Sequence, residues 1–136
     1  VLDRLGVGTL YIEADEWPLG VYAAAFEFLG GTPALASEIM GMHSIAAACT
    51  FAADFAGSVG FTLNDPVSTF TAAIFQNSLS NQIGTMSVST AGAFSFTTTG
   101  GLPVSCAIGD VLIIQAPGIT VEGLANLSWT FLGSML

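Results

Sequence analysis

From Val21 onward the chain alternates short apolar runs with turn-forming clusters, and the runs are too brief for helices. In residues 69–76, Phe70, Ala72 and Ile74 fall on one face and Thr69, Thr71 and Ala73 on the other, the period of a strand. Phe94, Phe96 and Thr98 alternate against Ser95 and Thr97 in the same way, as do Leu127, Trp129 and Phe131 against Ser128 and Thr130. Residues 82–90 place Ile83, Met86 and Val88 at the apolar positions. Their phase slips at Gly84-Thr85, as a bulge requires. Val111-Leu112-Ile113-Ile114, between Gly109-Asp110 and Ala116-Pro117-Gly118, is continuously apolar and predicts a strand buried on both faces.

The first half is less regular. Residues 21–29, rich in Ala and Phe, end in the turn signal Gly30-Gly31-Thr32-Pro33. Residues 38–44 and 45–52 read as two further strands. Ala46-Ala47-Ala48 would also suit a helix, but turn signals box the segment in. Residues 53–58 and Asn64-Asp65-Pro66 are breaks, Asn77-Ser78-Leu79-Ser80-Asn81 turns the chain, and the pairs Gly30-Gly31 and Gly100-Gly101 read as hairpin turns. Seven or eight short strands with regular turns and no long amphipathic helix predict an all-β fold, an antiparallel β-sandwich of jelly-roll type.

The sandwich domain is expected over residues 21–136, and residues 1–20 read as an N-terminal arm or connector. That segment holds Asp3, Arg4, Glu13, Asp15 and Glu16 and ends in Trp17-Pro18-Leu19-Gly20. It starts without a methionine, which is read as processing or a missing start. An arm laid on a neighbouring subunit would fit it.

Composition sharpens this picture. The chain is 52% hydrophobic, yet it carries 10 acidic side chains against one basic residue, Arg4. Its mean hydropathy of +0.75 raises the question of a membrane. The best apolar stretch, from Ile45 towards Phe61, is interrupted by Asp54, Gly57, Ser58 and Gly60, so it is no spanning helix. No secretory signal is legible, and the alternating runs are shorter than the roughly 9–11 residues of a membrane barrel strand. The surplus apolar surface is instead expected to be hidden between subunits, because obligate interfaces resemble a core cut in half. A net charge of −9 excludes nucleic acid as a partner, since phosphate binding needs Lys and Arg.

Candidate chemistry is thin. His43 is the only histidine, and no Gly-x-Ser-x-Gly elbow accompanies Met42-His43-Ser44, so a structural role is favoured. Glu27, Glu38, Asp54, Asp65, Asp110 and Glu122 are scattered. Turn chemistry accounts for the three aspartates beside breaks. Loop acids could hold calcium, but no Asp-x-Asp-x-Asp-Gly loop is present, and solvated acids are the simpler reading. Asn126-Leu127-Ser128 matches a glycosylation sequon but opens a strand of the buried type. Cys49 and Cys106 could pair, though two buried thiols are favoured. Neither a cofactor nor a metal is expected. Trp129 reads as core, whereas Trp17 and Tyr22 are the candidate partner contacts.

Taken in order, several stretches resemble a β-domain of tailed-bacteriophage virion proteins. They are Phe28-Leu-Gly-Gly-Thr-Pro-Ala-Leu-Ala-Ser-Glu38, Phe51-Ala-Ala-Asp-Phe-Ala-Gly-Ser-Val-Gly60, Ile83-Gly-Thr-Met86, Phe94-Ser-Phe-Thr-Thr-Thr-Gly-Gly101, Gly109-Asp-Val-Leu-Ile-Ile-Gln-Ala-Pro117 and Leu124-Ala-Asn-Leu-Ser-Trp-Thr-Phe-Leu-Gly133. The resemblance spans about residues 21–133. Where that family carries basic residues, Gly41-Met42-His43 and Ser134-Met135-Leu136 stand here. The resemblance implies a non-enzymatic virion component: a head-fibre, cement or decoration protein on the capsid surface. It would assemble with itself, as a homotrimer, and meet the major capsid protein or other virion proteins. The alternative it implies is a tail-fibre domain binding host-surface glycans. A glycan depolymerase is disfavoured by the scattered acids and single histidine.

Overall fold

The computed structural model describes residues 20–136. The arm reading of residues 1–20 and the contact role expected of Trp17 therefore lie outside the described residues, Gly20 apart. Ten strands make up the described chain: β1 (Val21–Phe28), β2 (Ile39–Ser44), β3 (Cys49–Phe51), β4 (Val59–Asn64), β5 (Phe70–Gln76), β6 (Gln82–Val88), β7 (Phe94–Thr98), β8 (Val104–Cys106), β9 (Val111–Gln115) and β10 (Ala125–Met135). They form two antiparallel sheets of five. The first runs β1-β10-β3-β8 with β4 also on β10, and the second runs β2-β9-β5-β6-β7.

β10 is the spine of the first sheet. It pairs along its length with β1, and its other side is shared by β4 near its start and β3 near its end. Leu127, Trp129 and Phe131 point inward, as their alternation predicts, and are almost wholly buried. Phe26 lies directly across the register from Trp129, and the two rings stack 5.3 Å apart at 3°. Such aromatic pairs add about 0.5–1.5 kcal/mol beyond the area they bury.

β3 and β4 run the same way along β10, as one strand with an interruption. Phe51 sits opposite Gly133 and Val59 opposite Thr130, so residues 52–58 leave the sheet opposite only residues 131 and 132. This excursion makes a short 3-10 turn, Ala53–Phe55, that drives Phe55 into the core against Phe131, ring centres 4.6 Å apart. Asp54 and Phe55 both take positive φ, which is costly for a bulky Phe. A reciprocal lock holds the turn: Thr98 N–H donates to Asp54 Oδ1 and Asp54 N–H donates to Thr98 Oγ1, each at 2.9 Å.

Several expectations need correction. Residues 45–52 are not one strand. Ile45 exchanges backbone hydrogen bonds with the Gly109-Asp110 turn while the chain crosses from the second sheet to the first, and only Cys49–Phe51 is extended. Strands β4 and β8 bring the count to ten among the described residues, above the expected seven or eight. Gly30-Gly31 and Gly100-Gly101 are not hairpins, because β1–β2 and β7–β8 join different sheets. The hairpins are β5–β6 and β6–β7.

The bulge in β6 lies beside its expected place. Ile74 faces Gly84 and Phe75 faces Gln82, leaving Ile83 as the extra residue. A second bulge, at Met40 in β2, turns Gly41 and His43 inward and Met42 outward. Position 41 takes no side chain because the Phe26 ring would lie 2.8 Å from its Cβ. Leu112, Ile113 and Ile114 of β9 are all buried, as read from the sequence; Ile113, on the face opposite the other two, lies between Met42 and Phe75 of the neighbouring strands.

Phe55→Ala should destabilise the fold by about 3–5 kcal/mol, the usual cost of emptying an aromatic core site. Urea unfolding followed by tryptophan fluorescence measures it. A loss under about 1 kcal/mol would mean the excursion is not wedged into the core.

Candidate interaction face

The outer face of the first sheet is built from alternate positions of three strands. β1 turns Val21, Ala23, Ala25 and Glu27 outward, and β10 turns out Ser128, Thr130, Leu132 and Ser134. β4 reverses the usual polarity. Val59, Phe61 and Leu63 point outward, 60%, 63% and 70% exposed, while Gly60 and Thr62 point inward.

Two contacts enforce that reversal. The Phe94 ring of β7 occupies the space a side chain at position 60 would need, its nearest atom 2.2 Å from an ideal Cβ. Thr62, buried, shares its one hydroxyl proton between the carbonyls of Asn64 at 2.9 Å and Ala125 at 3.1 Å. Shifting β4 by one residue would flip every side chain and bring its apolar set inward, but both contacts would be lost. The result is a ridge of three large apolar side chains. Beside it runs a shallow trough floored by Ala25, Ser128 and Thr130, part of a concavity of about 510 Å³ bounded by Glu27, Gly41 and Met42. Glu27 is the one carboxylate on this face among the described residues.

The candidate partner residue Tyr22 sits elsewhere. It faces the core, 7% exposed, with its ring edge-on to Phe51. Its hydroxyl accepts the Ala46 N–H at 2.8 Å and lies 2.8 Å from His43 Nε2. The phenolic oxygen can accept more than one hydrogen bond, so which of Tyr22 and His43 donates is set by the His43 tautomer. Tyr22 thus ties β1 to β2 and to the crossover, and the surface that β1 presents is Val21, Ala23 and Ala25.

The remaining polar groups serve the frame. Asp110 accepts from the Ala107 N–H at 2.9 Å and from the Asn77 and Gln76 side chains at 3.2 and 3.1 Å. The Ala107 bond first, then those two, hold its carboxyl below the ordinary range. Cys49 and Cys106 are free thiols lying opposite each other across β3 and β8. Burial, then Cys49 and Asp110, pushes Cys106 up to about 12. Asn126 of the sequon bonds through Nδ2 to Asn64 Oδ1 at 3.2 Å and is half-buried. Trp129 Nε1 has no hydrogen-bond partner among the described residues. Among the described residues no group of three or more His, Cys, Asp or Glu is gathered to hold a metal ion, and no helix is long and apolar enough to cross a membrane. Comparison with protein-family models, curated proteins and solved structures finds no match to the chain.

Two predictions follow from these bonds. Burial lowers the His43 pKa from 6.5, so folding favours its neutral form. That stability is whole above about pH 6.5, the unfolded value, and is lost as pH falls through the lower folded value. The melting temperature should decline over that window in the native protein and less in His43→Gln; parallel curves would refute the assignment. The thiols, held protonated by burial, should react with a disulfide reagent at least tenfold more slowly in the folded than in the urea-unfolded chain.

Proposed function

We propose that this protein is a structural component of a bacteriophage particle, decorating or projecting from the capsid by assembling with copies of itself. The strand order is the observation that carries the reading. When β3 and β4 are counted as one interrupted strand, the sheets run 1-10-(3/4)-8 and 2-9-5-6, with β7 added at an edge. This order supports reading the sandwich as an eight-stranded jelly roll, an architecture used by viral capsid and lectin domains. Fold alone does not assign function. The outward apolar ridge and the resemblance of the motif order to phage virion β-domains support the rest of the reading.

A shell or projection protein works by surface burial rather than by turnover. Its requirements are a stiff sandwich and apolar faces that copies cover for one another. Partners in this reading are sister subunits and the capsid or other virion proteins. A trimer is the stoichiometry suggested by the resemblance.

Light scattering on the purified chain should give a mass above the 13.9 kDa of one copy. Antibody labelling of intact particles should place the protein on the capsid surface. A monomer at every concentration, or particles without label, would overturn the proposal. Label confined to the tail, with binding on a glycan array, would favour the glycan-binding fibre instead.

A further inference from the structure

The geometry points to the outer face of the first sheet as a contact between two copies of this chain, each seating its β4 ridge in the other's trough. This rests on the assembly reading and adds which face makes the contact. Three observations converge on a second copy as the occupant.

The first is shape. Val59, Phe61 and Leu63 stand up beside a strip of small side chains, Ala23, Ala25, Ser128 and Thr130, on the same sheet. A half turn about an axis lying in the interface, parallel to the strands and between ridge and strip, lays a copy's ridge over that strip and the first ridge over the copy's own. Residue i then meets j and j meets i, the isologous contact that two-fold symmetry demands.

The second is charge. At a net charge of −9, two copies repel wherever their acids face each other. Glu38, Asp65 and Glu122 sit in the loops at one end of the sandwich and Asp110 at the other. Among the described residues the ridge-and-trough face bears only Glu27, at the end of the trough. Like-charged copies can approach on such a surface without a basic partner.

The third is extent. Strands about 4.8 Å apart and about 25 Å long give three strands a face of several hundred Å². A standard interface needs about 800 Å² per partner, so ridge and trough must both be used. A half-turn pairing uses both at once. Such pairing closes in even numbers. A three-fold arrangement would need another surface.

The test uses the full chain. Wild type is expected at an even multiple of 13.9 kDa by light scattering, and its association should tighten as salt screens the repulsion. Phe61→Asp, which places a carboxylate on the ridge, and Ala25→Trp, which fills the trough, should each weaken association at least tenfold and leave the far-ultraviolet circular dichroism spectrum unchanged. Ile119→Asp, in an exposed loop away from the face, should keep the wild-type mass. If Phe61→Asp fails to fold, Ala25→Trp decides. A monomeric wild type sinks the assembly reading itself. An oligomer indifferent to both substitutions, or one that assembles in threes, overturns only this pairing.

Discussion

The ring of Phe94 lies where a side chain at position 60 would have to go, and this steric fact orients β4. With Gly60 beneath the ring and the Thr62 hydroxyl bonded inside the sandwich, Val59, Phe61 and Leu63 can only face out. Exposed apolar side chains scattered singly are ordinary on proteins. Three in a row, on alternate positions of one strand whose small and polar residues are turned inward, are a different matter. A chain that only had to fold alone would gain by the opposite polarity, at roughly 25 cal/mol per Å² of apolar area buried.

The same region contains the strained part of the backbone. The excursion between β3 and β4 forces Asp54 and Phe55 into the left-handed region, and the Thr98 lock with the burial of Phe55 offsets that cost. Phe55 also touches the space around position 84, where a Cβ would come within 2.2 Å of the Thr97 carbonyl oxygen. β7 is therefore joined to the first sheet twice, by Phe94 over Gly60 and by Thr98 on Asp54. The orientation of the ridge and the seating of the core aromatic are parts of one arrangement.

Much of this fold was legible in the sequence because alternation reports burial directly. Leu127, Trp129, Phe131, Phe70, Ala72 and Ile74 are inward as their period of two requires, and β9 is buried as its unbroken apolar run implies. β4 was illegible for the complementary reason. Val59, Phe61 and Leu63 alternate as well, but alternation does not say which set faces the core, and the reason for the reversal comes from β7, remote in sequence. β8 and β3 are three residues each, too short to show a period. The run from Ile45 looked extended because a sheet-to-sheet crossover has no compositional mark, and its bonds to the Gly109-Asp110 turn are long-range. The depth of Tyr22 in the core follows from its place beside Ala24 and Phe26 on the inward face of β1, a pattern that the alternation of residues 21–28 carries.

Charge and hydropathy then set the balance between dispersal and association. The acids of the described residues sit mainly in loops and turns at the two ends of the sandwich, where water solvates them and like-charge repulsion discourages end-on contact. The broad face of the first sheet is almost free of charge, so the repulsion felt there is long-range and screened by salt, while the attraction is short-range and apolar. In the proposed pairing, two copies would therefore be kept apart at their ends and drawn together at their sides. Opposite preferences at different surfaces give direction to self-association, and a chain with a single basic residue can obtain that direction without ion pairs.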